Sequence, residues 1–178
     1  MRLDAIRRRF LIGLLIAGLL AVASCRESGE EGNFFEISGK MFVFNYRVAT
    51  ATYLVTLRPL QPMRDGDVAV ATFQDPAGGN EIVVRQKVWP KLDKVTLESP
   101  PLRCVVKNKP YNVAINIEDS AGAVRQTIRT TIVSSEDQTL LPDRPLVVGP
   151  IYTPNPDLAG HPDGKLPPDQ VEPCPPPA

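Results

Sequence analysis

Three cysteines and one histidine carry the most versatile side-chain chemistry in this chain. Cys25 ends a long apolar run, whereas Cys104 and Cys174 lie much later. A thiol can act as a nucleophile, bind a metal or form a disulfide. His161 has no second histidine with which to complete a metal pair or a nucleophile–base relay. The sequence therefore predicts a solvated, non-catalytic histidine.

Two pairs of neighbouring carboxylates are the other candidates for chemistry. Glu118 adjoins Asp119, and Asp65 and Asp67 flank a glycine. Both pairs lie in predicted turns, where acidic side chains cap backbone N–H groups or face water. A calcium site or an active site is the alternative, although the later ligands of a full calcium loop are missing. Without a phosphate-binding loop, CxxC pair or dinucleotide motif, we predict a non-enzyme with no cofactor, metal site or catalytic residue.

The start of the chain has the pattern of an export signal. Arginines at positions 2, 7, 8 and 9 precede a continuous apolar run over residues 10–23. This is the order of a charged region and a hydrophobic region. The run is shorter than the roughly 20 apolar residues of a membrane-spanning helix. We therefore predict that residues 1–24 form a helical signal peptide and not a permanent transmembrane helix.

The residues at the end of this run, Val22, Ala23, Ser24 and Cys25, resemble the lipobox of bacterial lipoproteins. In that motif an aliphatic residue and two small residues precede the cysteine, and Leu is commonest where this chain has Val22. The resemblance implies cleavage before Cys25 and attachment of a diacylglyceryl group to its thiol, which makes the lipid membrane its partner. A plain signal with an incidental cysteine is the alternative.

The residue after the cysteine bears on the choice of membrane. In enteric members of the lipoprotein family, Asp at this position retains the protein in the inner membrane. Arg26 stands there instead. The resemblance therefore favours a lipid anchor on the outer membrane, with the protein facing the periplasm.

Loss of the signal peptide makes the chain slightly acidic. The whole chain has 20 basic and 20 acidic residues, and residues 1–24 hold four arginines and one aspartate, so the mature net charge is −3. This charge and the exported compartment both argue against nucleic acid as a partner. Residues 25–33 are predicted to be a lipidated flexible linker, since they are polar and glycine-containing. Its eight residues after the cysteine reach at most ~28 Å.

Residues 34–137 have the alternation of an all-β domain. They are rich in Val, Ile, Thr, Phe and Tyr, with turn formers every eight to twelve positions. The clearest pair of strands covers residues 111–117 and 124–132, joined by a glycine-containing turn that predicts a hairpin. Further strands are predicted near 41–48, 51–58, 67–74, 81–89 and 93–98.

Residues 109–117 resemble the sixth strand of fibronectin type III-like domains, in which a tyrosine bonds back to the preceding corner. Tyr111 takes the place of that structural tyrosine. The resemblance implies an immunoglobulin-like antiparallel β-sandwich of about seven strands, and fold-level likeness assigns no function. We expect the aromatic residues to pack mainly in its core, namely Phe42, Phe44, Tyr46, Tyr53, Phe73 and Trp89.

Residues 138–178 are predicted to be an irregular tail, because they contain twelve of the nineteen prolines. An apolar island at 146–148 and 151–152 is expected to lie on the sandwich as an edge addition or a cover, followed by a loose end. Cys104 and Cys174 are the pair that remains once Cys25 is lipidated, and an oxidising compartment favours a disulfide between them. A buried free Cys104 and an intermolecular bond of Cys174 are the alternatives.

These features predict a non-catalytic binding or accessory module anchored in the cell envelope. Its partner is an envelope protein, a glycan or a small molecule that the sequence does not identify. One alternative is a structural tether that makes its contact through the proline-rich tail. The other is an unfamiliar envelope hydrolase that uses carboxylates on sandwich loops.

Overall fold

The computed structural model describes residues 32–175. The predicted signal peptide, the lipobox residues Val22, Ala23 and Ser24, the lipidation site Cys25 and most of the linker lie outside the described residues. Helical structure within 32–175 consists of single 3-10 turns at Gln138–Leu140, Pro156–Leu158 and Pro168–Gln170. In this described part, no helix is long and apolar enough to cross a bilayer.

Two antiparallel sheets form the framework. Their strands are β1 (Phe35–Asn45), β2 (Thr50–Pro59), β3 (Val68–Phe73), β4 (Ile82–Lys87), β5 (Val95–Glu98), β6 (Pro110–Glu118) and β7 (Val124–Val133). One sheet has the order β1-β2-β5, and the other has the order β4-β3-β6-β7. Every pairing within them is antiparallel. The predicted all-β sandwich of seven strands is therefore confirmed, with a first strand that starts earlier than predicted.

Strand β6 shows how sequence alternation builds the core between the sheets. Tyr111, Val113, Ile115 and Ile117 are all buried, whereas the residues between them are partly or fully exposed. Side chains two apart share one face of a strand, so this spacing turns four large side chains inward. The same core takes buried side chains from β2, β3 and β5. The inward face predicted for β6 is confirmed.

The aromatic side chains divide between the core and the surface. Those that are buried or packed against the core are Phe42, Phe44, Tyr53 and Phe73. Tyr46 and Trp89 are 46% and 50% exposed, so the core prediction is wrong for these two. Both lie beyond the end of a strand, where the alternation that turns side chains inward no longer applies.

We call the two ends of the sandwich the proximal pole and the distal pole. The proximal pole holds Phe34, next to the predicted linker, and the distal pole holds the β1–β2 turn at 46–49. Hydrogen bonds between the two sheets show which strand ends share a pole. Gln126 of β7 accepts from the N–H of Phe34 at 2.9 Å, and the Tyr53 hydroxyl donates to the Gln74 carbonyl at 2.9 Å. The start of β6 and the end of β7 therefore also lie at the distal pole.

The tail folds back against the distal pole. The Leu146 N–H donates to the Arg47 carbonyl in the β1–β2 turn at 2.9 Å. The apolar island forms β8 (Val147–Val148) and β9 (Thr153–Pro154), which pair only with each other among the described strands. It is therefore not an edge addition to the larger sheets. A disulfide bonds Cys174 to Cys104 of the sandwich. The tail is therefore attached as far as Cys174, beyond the point where a loose end was predicted to begin.

Candidate functional site

A cleft of about 950 Å³ lies at the distal pole between the sandwich and the tail. Its sandwich wall comes from the β3–β4 connection and from residues 101–106, which lead from β5 to β6. Its other wall comes from residues of the tail within 137–144 and 166–175. Ligand pockets typically enclose roughly 300–1,000 Å³. We call this cavity the distal cleft.

A disulfide between Cys104 and Cys174 forms part of the lining of the cleft. The two Cα atoms lie 5.5 Å apart, and 70 positions separate the residues in the sequence. Beside it, the Arg103 guanidinium pairs with the Glu172 carboxylate and also donates to the Glu172 carbonyl at 3.0 Å. Cys104 is buried, whereas Cys174 is exposed. The bridge therefore fixes the end of the tail to a buried residue of the sandwich.

Tyr111 is hydrogen-bonded to the sandwich wall of the cleft. Its ring is fully buried, and its hydroxyl accepts a hydrogen bond from the Val106 N–H at 2.8 Å. This is the back-bond to the preceding corner that the fibronectin-like resemblance implied for Tyr111. Burial raises the pKa of the Tyr111 hydroxyl above its ordinary value. The neighbouring Val105 carbonyl accepts from the Gln138 N–H at 2.8 Å, which joins this wall to the start of the tail.

Asp137 begins the tail wall by capping the 3-10 turn at Gln138–Leu140. Its carboxylate accepts from the Thr139 N–H at 3.1 Å and from the Thr139 hydroxyl at 2.9 Å. It also accepts from the Lys107 N–H at 3.5 Å. The hydrogen bond from the Thr139 N–H is the largest cause that lowers the pKa of Asp137. The sandwich and the tail are thus joined by a charged carboxylate at neutral pH.

Lys165 holds the two stretches of tail together. Its ammonium donates to the Thr139 carbonyl at 2.9 Å and to the Leu141 carbonyl. Gly164 lies beside it with a φ of 71°, and a Cβ there would come within 2.6 Å of the Pro142 Cβ. Only glycine combines that φ with such a close approach. The tail is therefore a folded cover on the distal pole, despite its proline content.

The carboxylates that the sequence offered for acid–base chemistry are engaged in structural contacts. Glu118 pairs with Arg85 at 2.6 Å, and Asp65 pairs with Lys87 at 3.2 Å. Asp119 accepts from two backbone N–H groups of the β6–β7 turn, each at 2.9 Å. Asp119 therefore has the predicted role of capping a turn, whereas Glu118 lies at the end of β6 and forms an ion pair, so the turn prediction is wrong for Glu118. None of the three residues lines the distal cleft.

Asp67 differs from the other turn carboxylates, because it is buried at the proximal pole. It pairs with Arg125 at 3.1 Å, and both side chains are at most 10% exposed. The Arg125 guanidinium lies 3.8 Å from the centre of the Phe34 ring. Gln126 adds hydrogen bonds to the backbone of Phe34 and Phe35. We call this set of contacts among Phe34, Asp67, Arg125 and Gln126 the proximal clamp. Sequence reasoning missed the pair, since nothing in the local pattern indicates that Asp67 and Arg125 meet.

His161 lies in a turn of the tail outside the distal cleft. Its N–H donates to the Leu158 carbonyl at 2.8 Å, and its carbonyl accepts from the Gly164 N–H at 2.9 Å. Its position is thus explained by backbone hydrogen bonds. Residues 32–175 contain no group of three or more His, Cys, Asp or Glu side chains that could hold a metal ion.

Comparison with known proteins assigns this chain to no family. No protein-family model matches the sequence, and no curated protein is significantly similar to it. Among solved structures, the crystal structure of wild type OgpA from Akkermansia muciniphila matches with a TM-score of 0.37 and 14% identity. The match covers 60% of this chain and 30% of that chain, so this chain spans about a third of that protein's length.

Proposed function

We propose that this chain is a lipid-anchored envelope protein that acts as a non-catalytic binding module and presents the distal cleft to its partner. The observation that carries the proposal is the placement of the cleft. The predicted linker meets the sandwich at the proximal pole, and the cleft lies at the other end. Strand β1 connects the two poles with eleven residues, which corresponds to about 36 Å.

The proximal clamp fixes the point at which the chain enters the sandwich. The side chain of Gln126 makes three hydrogen bonds to the backbone of Phe34 and Phe35, where the described fold begins. A lipid on Cys25 would therefore be separated from the sandwich only by the short linker. In this proposal the cleft lies at the pole opposite the linker and is open to partners in the periplasm.

The cleft also bears on the two alternatives. The tether hypothesis and the binding-module hypothesis share the same surface, because the tail supplies one wall of the cleft and the sandwich supplies the other. A hydrolase using turn carboxylates is less well supported, because Glu118 and Asp65 form ion pairs and Asp119 caps a turn. A binding module accounts for the cleft and for these contacts together.

The anchor is tested by changing Cys25 to Ser and labelling cells with a tagged fatty acid. Loss of the label from the variant is expected, because the thiol is the acceptor of the diacylglyceryl group. A label that persists would contradict the lipoprotein assignment. Separation of the membranes on a density gradient tests the expected outer-membrane location, and cofractionation with inner-membrane markers would contradict it.

The cleft is tested by site-specific photo-crosslinking in living cells with the full chain. Gln170 is exposed and lines the cleft, so a photoreactive residue there samples its contents. Val83 on β4 is the matched control, since it is 58% exposed and lies outside the cleft. We expect adducts from position 170 and not from position 83. Adducts from 83 alone, or none from 170, would contradict the proposal.

A further inference from the structure

Two loops at the proximal pole carry exposed apolar side chains. Leu60 follows β2, Trp89 and Leu92 lie in the β4–β5 connection, and all three are about half exposed. The last pair of β2 with β5 joins Leu57 to Val95, so Leu60 and Leu92 each lie three residues beyond it. These side chains therefore share one end of the sandwich. We call Leu60, Trp89 and Leu92 the proximal tip.

A tight turn presents two of these side chains together. The Leu92 N–H donates to the Trp89 carbonyl at 3.0 Å, and the first and last Cα atoms of such a turn lie within about 7 Å of each other. Val88, before the turn, is fully buried, and its N–H donates to the Asp67 carbonyl at 2.9 Å. The Lys87 ammonium lies 4.3 Å from the centre of the Trp89 ring. The sandwich therefore holds the turn in place while its apolar side chains stay exposed.

The predicted linker joins the sandwich beside this tip. The Leu60 N–H donates to the Phe34 carbonyl at 2.8 Å, and Phe34 directly follows the linker in the sequence. The linker residues between Cys25 and Phe34 reach at most ~28 Å. A lipid on Cys25 would thus keep the proximal tip close to the bilayer, and a short flexible tether gives an effective concentration in the millimolar range. Weak apolar contacts are then sufficient to hold the tip on the lipid surface.

The side chains of the tip suit the boundary between lipid headgroups and acyl chains. Trp is enriched at that boundary because its ring is apolar and its indole N–H can donate to polar lipid groups. Lys91 and Lys94 lie on either side of Leu92 in the sequence. Lysine stems can lie along apolar surface while the ammonium group stays in the headgroup layer. A lipid surface therefore accounts for the apolar and the basic side chains of this turn together.

Charge does not drive this contact. Residues 33–36, 58–67, 87–94 and 118–125, which form the proximal pole, contain six basic and six acidic residues. The pole is thus neutral overall, and it neither attracts nor repels an anionic membrane surface at a distance. A contact made by apolar side chains should therefore change little when salt is added.

We infer that the proximal tip inserts into the surface of the bilayer that holds the lipid anchor, and that this second contact orients the sandwich on the membrane. The inference rests on the proposed anchor at Cys25 and adds the side chains that touch lipid. Because the distal cleft lies at the opposite pole, insertion of the tip keeps the cleft clear of the bilayer. The β8–β9 hairpin at the distal pole also exposes Ile151 and Tyr152, and its position opposite the linker makes it a control surface.

Trp89 is the only tryptophan of the chain, so its fluorescence reports on the tip alone. The full lipidated protein is reconstituted in vesicles of phosphatidylethanolamine and phosphatidylglycerol, and the same lipids with brominated acyl chains supply a short-range quencher. We expect bromine to lower the Trp89 emission about twofold at low and at high salt, because an inserted ring reaches the acyl boundary. The Leu60→Ser, Leu92→Ser variant should lose most of this quenching. The matched control is Ile151→Ser, Tyr152→Ser, which removes exposed apolar side chains of the distal hairpin and should leave the quenching intact.

Four results would overturn the inference. The Trp89 emission could be the same in brominated and plain vesicles, or the Leu60→Ser, Leu92→Ser variant could keep the quenching. The distal variant could lose the quenching, which would mean that the molecule contacts lipid through its other pole. A blue shift of the emission without quenching would indicate burial of Trp89 against protein. Each of these leaves the fatty-acid label on Cys25 in place, whereas a wild-type protein without that label would contradict the proposed anchor itself.

Discussion

The disulfide between Cys104 and Cys174 gives the sharpest prediction for the tail. Changing both residues to Ala removes a covalent link across 70 positions. In the chain-entropy model, closing a loop of that length stabilises the fold by roughly 4 kcal/mol. The tail can also detach while the sandwich stays folded, so the loss in global unfolding free energy should be smaller than this value. We expect a decrease of about 2–4 kcal/mol.

Urea unfolding followed by circular dichroism, with the full chain in detergent micelles, measures this loss. The dependence of the free energy on urea should also steepen, because an uncrosslinked chain exposes more surface when it unfolds. Amide exchange at Leu166, whose N–H bonds to Asp143, should become faster in the variant. The reasoning fails if the unfolding free energy and the Leu166 exchange rate both stay unchanged. Two alkylated cysteines per chain in denatured, unreduced protein would reject the bridge directly.

Three further substitutions test the contacts that shape the poles. Tyr111→Phe leaves the Val106 N–H without its acceptor and should cost about 1–2 kcal/mol of unfolding free energy, with an equally stable variant contradicting the corner role. Asp67→Ala leaves the buried Arg125 cation unpaired and should cost about 3–5 kcal/mol, whereas adding Arg125→Met should restore most of the loss in a double-mutant cycle. Asp137→Ala removes a helix cap and should cost about 1 kcal/mol at pH 7. The pKa of Asp137 is lowered from 3.8, so that difference should persist above pH 3.8 and shrink as the pH falls through the folded-state pKa.

Local sequence patterns were sufficient to predict the sandwich, because the alternation of apolar and polar residues along a strand is itself a local property. The β6–β7 hairpin follows from alternating apolar residues and one turn. The start of β1 was missed, since the register shifts between Ile37 and Gly39 and breaks the alternation there. Trp89 was misplaced because the strand predicted over 81–89 ends at Lys87, so the alternation of that strand does not extend to Trp89.

The distal cleft could not be predicted in the same way, because its walls meet through contacts between distant positions. Gln138 bonds to Val105, and Glu172 pairs with Arg103. No periodic pattern connects such residues in the sequence. The cysteine count was the one global signal, and it depended on the assignment of Cys25 to lipid.

Ligand binding and tail docking should be thermodynamically coupled, because a ligand of the distal cleft contacts both walls and recognises only the docked form. A free ligand at 100 times its Kd stabilises that form by about 2.7 kcal/mol. Where only a fraction of molecules is docked, the apparent Kd rises by the reciprocal of that fraction. A partner identified by crosslinking from position 170 should therefore bind the Cys104→Ala, Cys174→Ala variant more weakly and slow its exchange at Leu166. Equal affinities in the two proteins, with exchange unaffected by the partner, would mean that the tail is not a wall of the binding site.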